Sequence, residues 1–164
     1  MGPEDVAREL EHPTAHELLS EASVARLAYN GPDGFPRVVP CGFWWNGTHV
    51  VVCTAITAPK VRALQARPEV ALTIDVPDAP GGAQELLIRG VASVEIVEGV
   101  ADEYLAASRK GIAEEHLAEF ERNVRATYDQ MARISIEPRW ARLFDFGTGR
   151  MPKFLTELVQ KAAE

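Results

Sequence analysis

The sequence predicts a mainly β protein (β+α), an antiparallel barrel of about six strands, closed or nearly closed, with peripheral helices. Apolar runs that alternate with polar residues recur along the chain and are separated by Gly-, Pro- and Asn-rich turns. Runs joined by such short turns pair antiparallel, and only a few helical segments interrupt them. A length of 164 residues, with 46% hydrophobic and 25% charged residues, suits a single domain over residues 1–164.

Turn signals divide the β structure into segments. Asn46-Gly47 is typical of a two-residue hairpin turn, and Gly90 marks a bulge or tight bend within a long strand. Pro138-Arg139 separates the last two segments. The predicted strand segments are 25–29, 35–45, 48–54, 69–76, 85–98, 131–137 and 140–146.

Capping and composition locate the helices. Thr14 and Glu17 form a capping box ahead of the first helix, and Thr57 or Ala58 caps the second. The predicted helices are one over about 15–22, a connecting helix from Pro59 to Arg67, a helical insertion over about 100–129 that Gly111 divides, and a C-terminal helix over about 153–163.

Composition excludes several classes of function. The net charge of -7 argues against a nucleic-acid partner, because binding to phosphate backbones needs a concentrated basic face. No run is long and apolar enough to cross a bilayer, and the acidic N-terminus is unlike a secretory signal, so we expect a cytoplasmic protein with no membrane partner. Cys41 and Cys53 are expected to be reduced. Pro13 places His12 outside the helix that carries His16, so we expect no metal site.

Positive charge gathers around the predicted hairpin. Between residues 35 and 70 there are four basic residues and one acidic residue, Glu69. A two-residue turn at Asn46-Gly47 places Val39 opposite Thr54, and because side chains alternate along strands, Arg37 then shares a face with Thr54. A bulge at Pro40 is the alternative that would reverse this face.

The helix after the hairpin opens on Lys60. Free backbone N–H groups, the positive end of the helix and an ammonium group therefore lie together, which is the composition of an anion site. Two interpretations remain open from charge alone. The basic residues form one anion-binding cluster, or they are ordinary solvated charges at a strand end and on a helix face.

These segments carry a resemblance. The order "GFPRVVPCGFWW", "HVVVCT", "AITAPKVRALQARPEVALTID" and "IRGVASVE" resembles the pyridoxamine 5′-phosphate oxidase-like family of flavin-binding split β-barrels over residues 25–97. The pair "ARISIEPRWARLFDF" is similar to that family's closing strands. The resemblance implies a homodimer whose cofactor lies in a cleft between the subunits. That cofactor is FMN or, in related proteins, a deazaflavin of the factor 420 type.

The resemblance also implies the cofactor-binding residues. Carried over position by position, the phosphate is held by Arg37, Thr54 and Lys60. Thr57 takes the small hydroxyl position of the turn, and Arg62 is an additional phosphate or tail contact. The other expected contacts are backbone groups at the isoalloxazine edge and one aromatic residue, for which packing in the core is the alternative: Val39, Pro40, Ala55 and Trp140.

The implied function is a flavin-dependent oxidoreductase that passes hydride or electrons between the cofactor and a small-molecule substrate. The cofactor carries that chemistry, so no catalytic side chain is assigned. The family's C-terminal arginine and histidine substrate motif is not found, which argues against pyridoxamine phosphate as the substrate. The alternatives are a non-enzymatic flavin or haem carrier or sensor, and a cofactor-free dimeric scaffold.

Overall fold

The computed structural model describes residues 1–162, and within them the chain forms six α-helices and seven β-strands. The helices are α1 (Pro3–Leu10), α2 (Pro13–Glu21), α3 (Pro59–Ala66), α4 (Asp102–Ser108), α5 (Glu114–Thr127) and α6 (Lys153–Ala162). The strands are β1 (Ala25–Asn30), β2 (Pro36–Cys41), β3 (Trp44–Trp45), β4 (Val50–Ala55), β5 (Glu69–Val76), β6 (Gln84–Glu98) and β7 (Gln130–Asp145). A 3-10 turn, Phe146–Thr148, joins β7 to the segment before α6.

The strands form one antiparallel sheet in the order β2-β1-β5-β6-β7-β4-β3. The two edge strands, β2 and β3, are separated in the chain only by Gly42 and Phe43, so the Cα atoms of Cys41 and Trp44 lie at most about 11 Å apart. The edges of a flat sheet of seven strands would lie about 29 Å apart. The sheet must therefore curl until its edges approach, which gives a split barrel and confirms the predicted fold class.

The main hydrophobic core fills the inside of this barrel. Alternate residues of each strand point inward, as Ala25, Leu27 and Tyr29 do on β1. Helix α3 adds Leu64 to the same core. A second, smaller core lies between α4, α5 and the other side of the strands, where Met131 is fully buried. No helix within residues 1–162 is long and apolar enough to span a bilayer.

The bulge predicted at Gly90 is confirmed. The register between β6 and β7 shifts between Arg89 and Gly90, and a Cβ atom on Gly90 would lie 2.5 Å from the carbonyl oxygen of Glu137. The prediction that Pro138-Arg139 separates two strands is wrong, because β7 is continuous. The bulge absorbs one extra residue of β7, and Pro138 pairs with Gly90 at that irregular position, where a missing N–H is tolerated.

The first predicted helix begins earlier than expected. Its N-cap is His12, whose Nδ1 accepts a hydrogen bond from the Thr14 N–H, so the predicted capping box is wrong. Pro13 occupies the first helical position, where its fixed φ and missing N–H are favourable. The Thr14 hydroxyl donates to Asp145 instead. Helix α1 was not predicted.

The other helices agree more closely with expectation. The insertion consists of α4 and α5, and the break between them contains Gly111 as predicted. The C-terminal helix extends through Ala162, and residue 163, where the prediction ended it, lies outside the described residues.

The predicted hairpin register is wrong. Trp45 pairs with Val50, so the loop has four residues rather than two. The side-chain oxygen of Asn46 accepts hydrogen bonds from the N–H groups of Thr48 and His49, which stabilises the longer loop. In addition, the predicted strand is interrupted at Gly42, and its first part, β2, pairs with β1 instead of β4. The pairing of Val39 with Thr54 is therefore absent.

Candidate functional site

Helix α3 begins without a side-chain cap. Its N-cap residue is Ala58, which offers no side-chain acceptor, and Pro59 follows at the first helical position. Ser, Thr, Asp or Asn normally satisfies backbone N–H groups at this position. The start of α3 is therefore suited to an anion, which would take the place of the missing cap.

Lys60, in the first turn of α3, lies close to the edge strand β2. Burial raises the pKa of the Cys41 thiol to about 11, and the positive charge of Lys60 opposes that rise. The ammonium group must be near the thiol to have this effect. Lys60 itself is only half-buried, so part of its side chain is exposed to solvent.

The predicted phosphate ligands on the strands lie on the inward side of the barrel. On β2, Arg37, Val39 and Cys41 are half-buried, while Val38 and Pro40 are exposed, so Pro40 does not disturb the alternation. Val39 and Cys41 pack against the main core.

On β4, Thr54 follows Val50 and Val52, whose side chains belong to the main core. Alternation along the strand therefore directs Thr54 to the inside of the barrel. Arg37 and Thr54 thus lie on the same side of the sheet, although their strands do not pair.

Arg37 is held by the β1–β2 loop. Its Nη2 lies 2.9 Å from Oδ2 of Asp33, and its Nη1 donates to the carbonyl oxygen of Phe35. The hydrogen bond to Asp33 raises the pKa of Arg37 and lowers the pKa of Asp33. The guanidinium group lies against Gly31, where a Cβ atom would come within 2.6 Å of Cζ. Only a glycine at this position permits that approach.

A groove of about 630 Å³ lies between α3 and the β1–β2 loop, and we call it the α3 groove. Arg67 forms part of its wall, donating from Nη1 to the Gly31 carbonyl at 2.9 Å and from Nη2 to the Pro32 carbonyl at 3.3 Å. Arg37 and Arg67 therefore both contact Gly31. Among the described residues that line the groove two are arginines and none is acidic: Asn30, Pro32, Ile56, Thr57, Ala58, Pro59, Arg62, Ala63, Ala66 and Arg67.

A second groove, of about 390 Å³, lies on the other side of the β4–α3 turn. Ala55, Ile56 and Thr57 line it together with Tyr128 and Asp129. Ile56 is 42% exposed and contributes to both grooves. The turn therefore forms a ridge between two recesses, with Thr57 and Ile56 accessible from either side.

The structure places Trp140 away from both grooves. The Arg89 guanidinium lies over its ring at 4.4 Å from the centroid. Trp140 lines a separate polar pocket with Arg8, Glu9 and Arg142. It is half-buried on the outward side of β7 and is not part of the core.

The wall of the α3 groove was not predicted from the sequence. Arg67 is one of the basic residues between 35 and 70, but its residue type assigns it no role, and Asn30 and Pro32 carry no binding signal. The acceptors that hold Arg67 are backbone carbonyls, which leave no signal in the residue types. The excess of basic residues in this segment was the only available indication.

A different recess lies on the other face of β4. It has a volume of about 400 Å³ and is lined by Cys53, Tyr104 and Phe120 among others. Burial, followed by the negative charge of Glu103, raises the pKa of the Cys53 thiol to about 12. Both cysteines are free, and Cys41 donates to the carbonyl of Ala25.

A half-buried lysine, Lys110, contacts Phe43 in the two-residue link between the edge strands β2 and β3. The Nζ atom of Lys110 donates to the carbonyl oxygens of Leu19 and Ala22 and lies 4.1 Å from the centroid of the Phe43 ring. Burial lowers the pKa of Lys110 to about 8. Phe43 itself is fully buried.

Fold and site together define a split β-barrel with a cationic cleft at the start of α3. A family profile described as pyridoxamine 5′-phosphate oxidase matches residues 12–143, which is well over half of the chain. The chain therefore belongs to the pyridoxamine 5′-phosphate oxidase family. This confirms the predicted resemblance.

Solved structures share the fold. The chain is similar to an F420 reductase, with 26% identity and a TM-score of 0.59 over 77% of this chain and 94% of that chain. It is also similar to the conserved hypothetical protein Rv2991 from Mycobacterium tuberculosis, with 20% identity and a TM-score of 0.58 over 93% and 89% of the two chains. A third similar structure is HutZ, described as a haem storage protein from Vibrio cholerae, with 22% identity and a TM-score of 0.56 over 81% and 92%. The last two likenesses show the fold alone. Among curated proteins, no significant match was found.

Proposed function

We propose that this protein is a cytoplasmic, homodimeric oxidoreductase that binds FMN or a deazaflavin of the factor 420 type in a cleft between its subunits and exchanges hydride or electrons with a small molecule. One observation carries the proposal. The α3 groove bears two arginines and no acidic residue among those described, and it adjoins an uncapped helix start that carries Lys60. In a chain of net charge -7, this is the composition of a site for an anionic ligand.

The residues present fit a phosphate-bearing cofactor. The first turn of α3 offers backbone N–H groups, and Thr57 adds a hydroxyl group in the groove wall. Lys60 belongs to the same turn and adds an ammonium group beside the groove, although it is not among the described residues that line it. Arg62 lies one turn further along the groove, where it can hold a second negative group. The volume of about 630 Å³ is in the range of small-molecule sites. FMN and the deazaflavin both carry a phosphate, so the same residues serve either cofactor.

The protein's own contribution is binding and orientation. When bound, the flavin or deazaflavin ring supplies the position that accepts or donates hydride. Lys60 and Arg37 fix the phosphate end, while Val39, Pro40 and Ala55 offer backbone groups toward the ring edge. The half-buried inward side of β2 restricts the access of water to that edge.

A haem-binding function is the second candidate, because one of the similar structures is described as a haem storage protein. Haem iron is often held by a histidine side chain. The chain has four histidines, His12, His16, His49 and His116. None of them is among the described residues lining the α3 groove or the second groove. The groove composition therefore favours the flavin-type cofactor over haem.

Cofactor titration tests the proposal. Apo protein is titrated with FMN and with the deazaflavin, and binding is followed by quenching of tryptophan fluorescence. Lys60→Ala is expected to weaken binding about 10- to 100-fold, because a charge-assisted hydrogen bond is lost. Lys60→Arg should recover much of the affinity. Arg122→Ala, which removes an exposed cation on α5, is the matched control and should bind normally.

The outcomes separate the candidates. Unchanged affinity in Lys60→Ala contradicts the phosphate site. Turnover of the reduced, bound cofactor with an electron acceptor distinguishes an enzyme from a carrier. Wild-type protein that binds neither flavin nor deazaflavin leaves the haem carrier and the cofactor-free scaffold as the surviving alternatives.

A further inference from the structure

Helix α6 presents an apolar face that the rest of its own chain does not cover. Phe154, Leu158 and Val159 are 63%, 60% and 58% exposed. They are spaced i, i+4 and i+5, so they lie on one side of the helix. None of the described α6 residues is buried. An isolated helix of ten residues is marginal in water, so this face needs a covering surface to be stable.

A matching depression lies on the outward face of the barrel. Val38, Ala28 and Ala71 stand side by side on β2, β1 and β5, because Ala28 pairs with both of the others. Val38 is 64% exposed. The small side chains in this row leave a recess of about 340 Å³, which we call the outer trough.

One end of the outer trough is acidic. Asp75 pairs with Glu85 across β5 and β6, and both side chains line the trough. Arg26 forms a salt bridge with Asp75, and among the described residues Glu85 makes no salt bridge. Ala71 and Asp75 are four strand residues apart, which is about 13 Å. The trough therefore has an apolar middle and a negative end at that separation.

Helix α6 complements this pattern. Lys153 and Lys161 lie at its two ends, about 12 Å apart along the axis. Lys153 lies 3.5 Å from Glu157, the single acidic residue of the helix, whereas Lys161 makes no salt bridge among the described residues. With two lysines and one glutamate, α6 is a basic element in a chain of net charge -7. When the apolar face of α6 lies on the row of small residues, Lys161, which is seven residues from Phe154 and on the same side of the helix, is the lysine placed to reach the acidic end of the trough.

We infer that α6 packs into the outer trough of a second copy of this chain, and that the second copy returns its own α6 in the same way. The segment that leads into α6 follows the end of β7, where Asp145 pairs with Gln84, next to Glu85. Helix and trough are thus at the same end of the sheet. A twofold axis near that end exchanges the two helices and makes the interface self-complementary.

The α6 contacts form only part of a dimer interface. A helix of this length is about 15 Å long and 10 Å wide, so its footprint is roughly 150 Å² on each of the two surfaces in contact. Two reciprocal contacts then cover about 600 Å², which is below the range of about 1,200–2,000 Å² for stable, specific interfaces. The inference therefore rests on the proposed function, in which the subunits also meet around the cofactor cleft. Residues 153–162 lie outside the segment that the family profile matches, so this contact is an addition to the family's shared barrel.

A matched pair of variants in the full chain tests the contact. Leu158→Glu places a charge on the apolar face of α6, and Gln160→Glu makes the same change in charge at an exposed polar residue. Sedimentation equilibrium should show a dimer dissociation constant at least tenfold higher for Leu158→Glu and unchanged within twofold for Gln160→Glu. Leu158→Glu without effect on the dissociation constant or on the rate of subunit exchange overturns the inference.

A complementation experiment tests reciprocity. Val38→Glu damages the trough and leaves α6 intact, whereas Leu158→Glu damages α6 and leaves the trough intact. Each variant alone loses both contacts of its dimer, but a mixed dimer keeps one. Heterodimer formation in the mixture that exceeds either homodimer at equal concentration supports the exchange, and its absence contradicts the exchange.

Two further measurements distinguish a second copy from a membrane and the dimer contact from the cofactor site. Sedimentation with vesicles of phosphatidylcholine and phosphatidylglycerol detects a membrane as the occupant. Vesicle binding that Leu158→Glu abolishes, with an unchanged dimer dissociation constant, refutes the dimer contact. Cofactor affinity is measured at protein concentrations above the dimer dissociation constant, so that failure of this inference and failure of the proposed cofactor site give different results.

Discussion

Replacing Lys60 with methionine is expected to slow the alkylation of Cys41 and to leave the alkylation of Cys53 unchanged. Burial raises the pKa of both thiols, to about 11 for Cys41 and about 12 for Cys53. The charge of Lys60 lowers the pKa of Cys41 only. The thiol of Cys53 is influenced instead by charges on its own side of β4, so it serves as an internal control.

The magnitude follows from two opposing effects. Loss of a nearby positive charge raises the Cys41 pKa by about one unit, which lowers the thiolate fraction at pH 8 about tenfold. The remaining thiolate is about threefold more nucleophilic, because nucleophilicity rises with pKa with a Brønsted coefficient of about 0.4–0.5. The net result is alkylation of Cys41 slowed about three- to fourfold.

The assay uses the single-cysteine variants Cys53→Ser and Cys41→Ser, each with and without Lys60→Met. Iodoacetamide labelling is followed by mass spectrometry between pH 8 and pH 10. Because both raised pKa values lie above this window, the rate should rise about tenfold per pH unit for either thiol and show no plateau. Bound FMN or deazaflavin should protect Cys41 and leave Cys53 reactive.

Two results would refute this reasoning. If Lys60→Met leaves the rate at Cys41 unchanged, the ammonium group does not lie near β2, and the cleft at the start of α3 is assembled differently. If both cysteines slow equally, the substitution acts through the general stability of the barrel rather than through charge. A slower alkylation of Cys41 alone would place the Lys60 ammonium group beside β2.

Other residues give further predictions. Gly31→Ala should displace the Arg37 guanidinium and weaken cofactor binding about as much as Arg37→Ala does, with no added effect in the double variant, as titration of the three proteins would show. Gly90→Ala should lower the free energy of unfolding in urea by about 3 kcal/mol, because the new methyl group meets a backbone carbonyl, whereas Gly111→Ala meets only ordinary contacts and should cost less than about 1 kcal/mol. The lowered pKa of Lys110 means that the unfolded chain binds more protons than the folded one between about pH 8 and pH 10.5, so its contribution to stability rises with pH there. Lys110→Met should flatten that part of the pH–stability profile, and a profile identical to wild type would contradict this assignment.

The sequence predicted the strands and the barrel because their signals are local. The bulge residue Gly90 and the helix break at Gly111 were visible as single glycines in otherwise regular segments. The error at Pro138 shows the limit of such signals, since a proline inside a strand is acceptable when the partner strand supplies a bulge. The four-residue loop after Trp45 depends on hydrogen bonds from one asparagine side chain, which the residue pair alone does not reveal.

The candidate site was predicted only in part, for a physical reason. Residue type and order placed Lys60 at the start of a helix and Arg37 on a strand, and these are local facts. The wall of the α3 groove depends on Arg67 reaching the carbonyl of Gly31, 36 residues away in the chain. The expected pairing of β2 with β4 failed because Gly42 interrupts the strand, and which strands then become neighbours is decided by the curvature of the whole sheet.

The short link between β2 and β3 fixes the separation of the barrel edges at one end of β2. The edges are joined by Gly42 and Phe43, and Phe43 is fully buried and contacts the Lys110 ammonium group, so the link is firmly anchored. From that anchor β2 extends six residues, about 20 Å, and among the described residues only its inner edge is paired, with β1. Because β2 is paired with β1 along its whole length, the far end, where Arg37 lies, moves only when β1 moves with it. The separation of Lys60 and Arg37 therefore depends on the curvature of the sheet, and a ligand whose phosphate is held by both residues would respond to that curvature, whereas a ligand bound only at Lys60 would not.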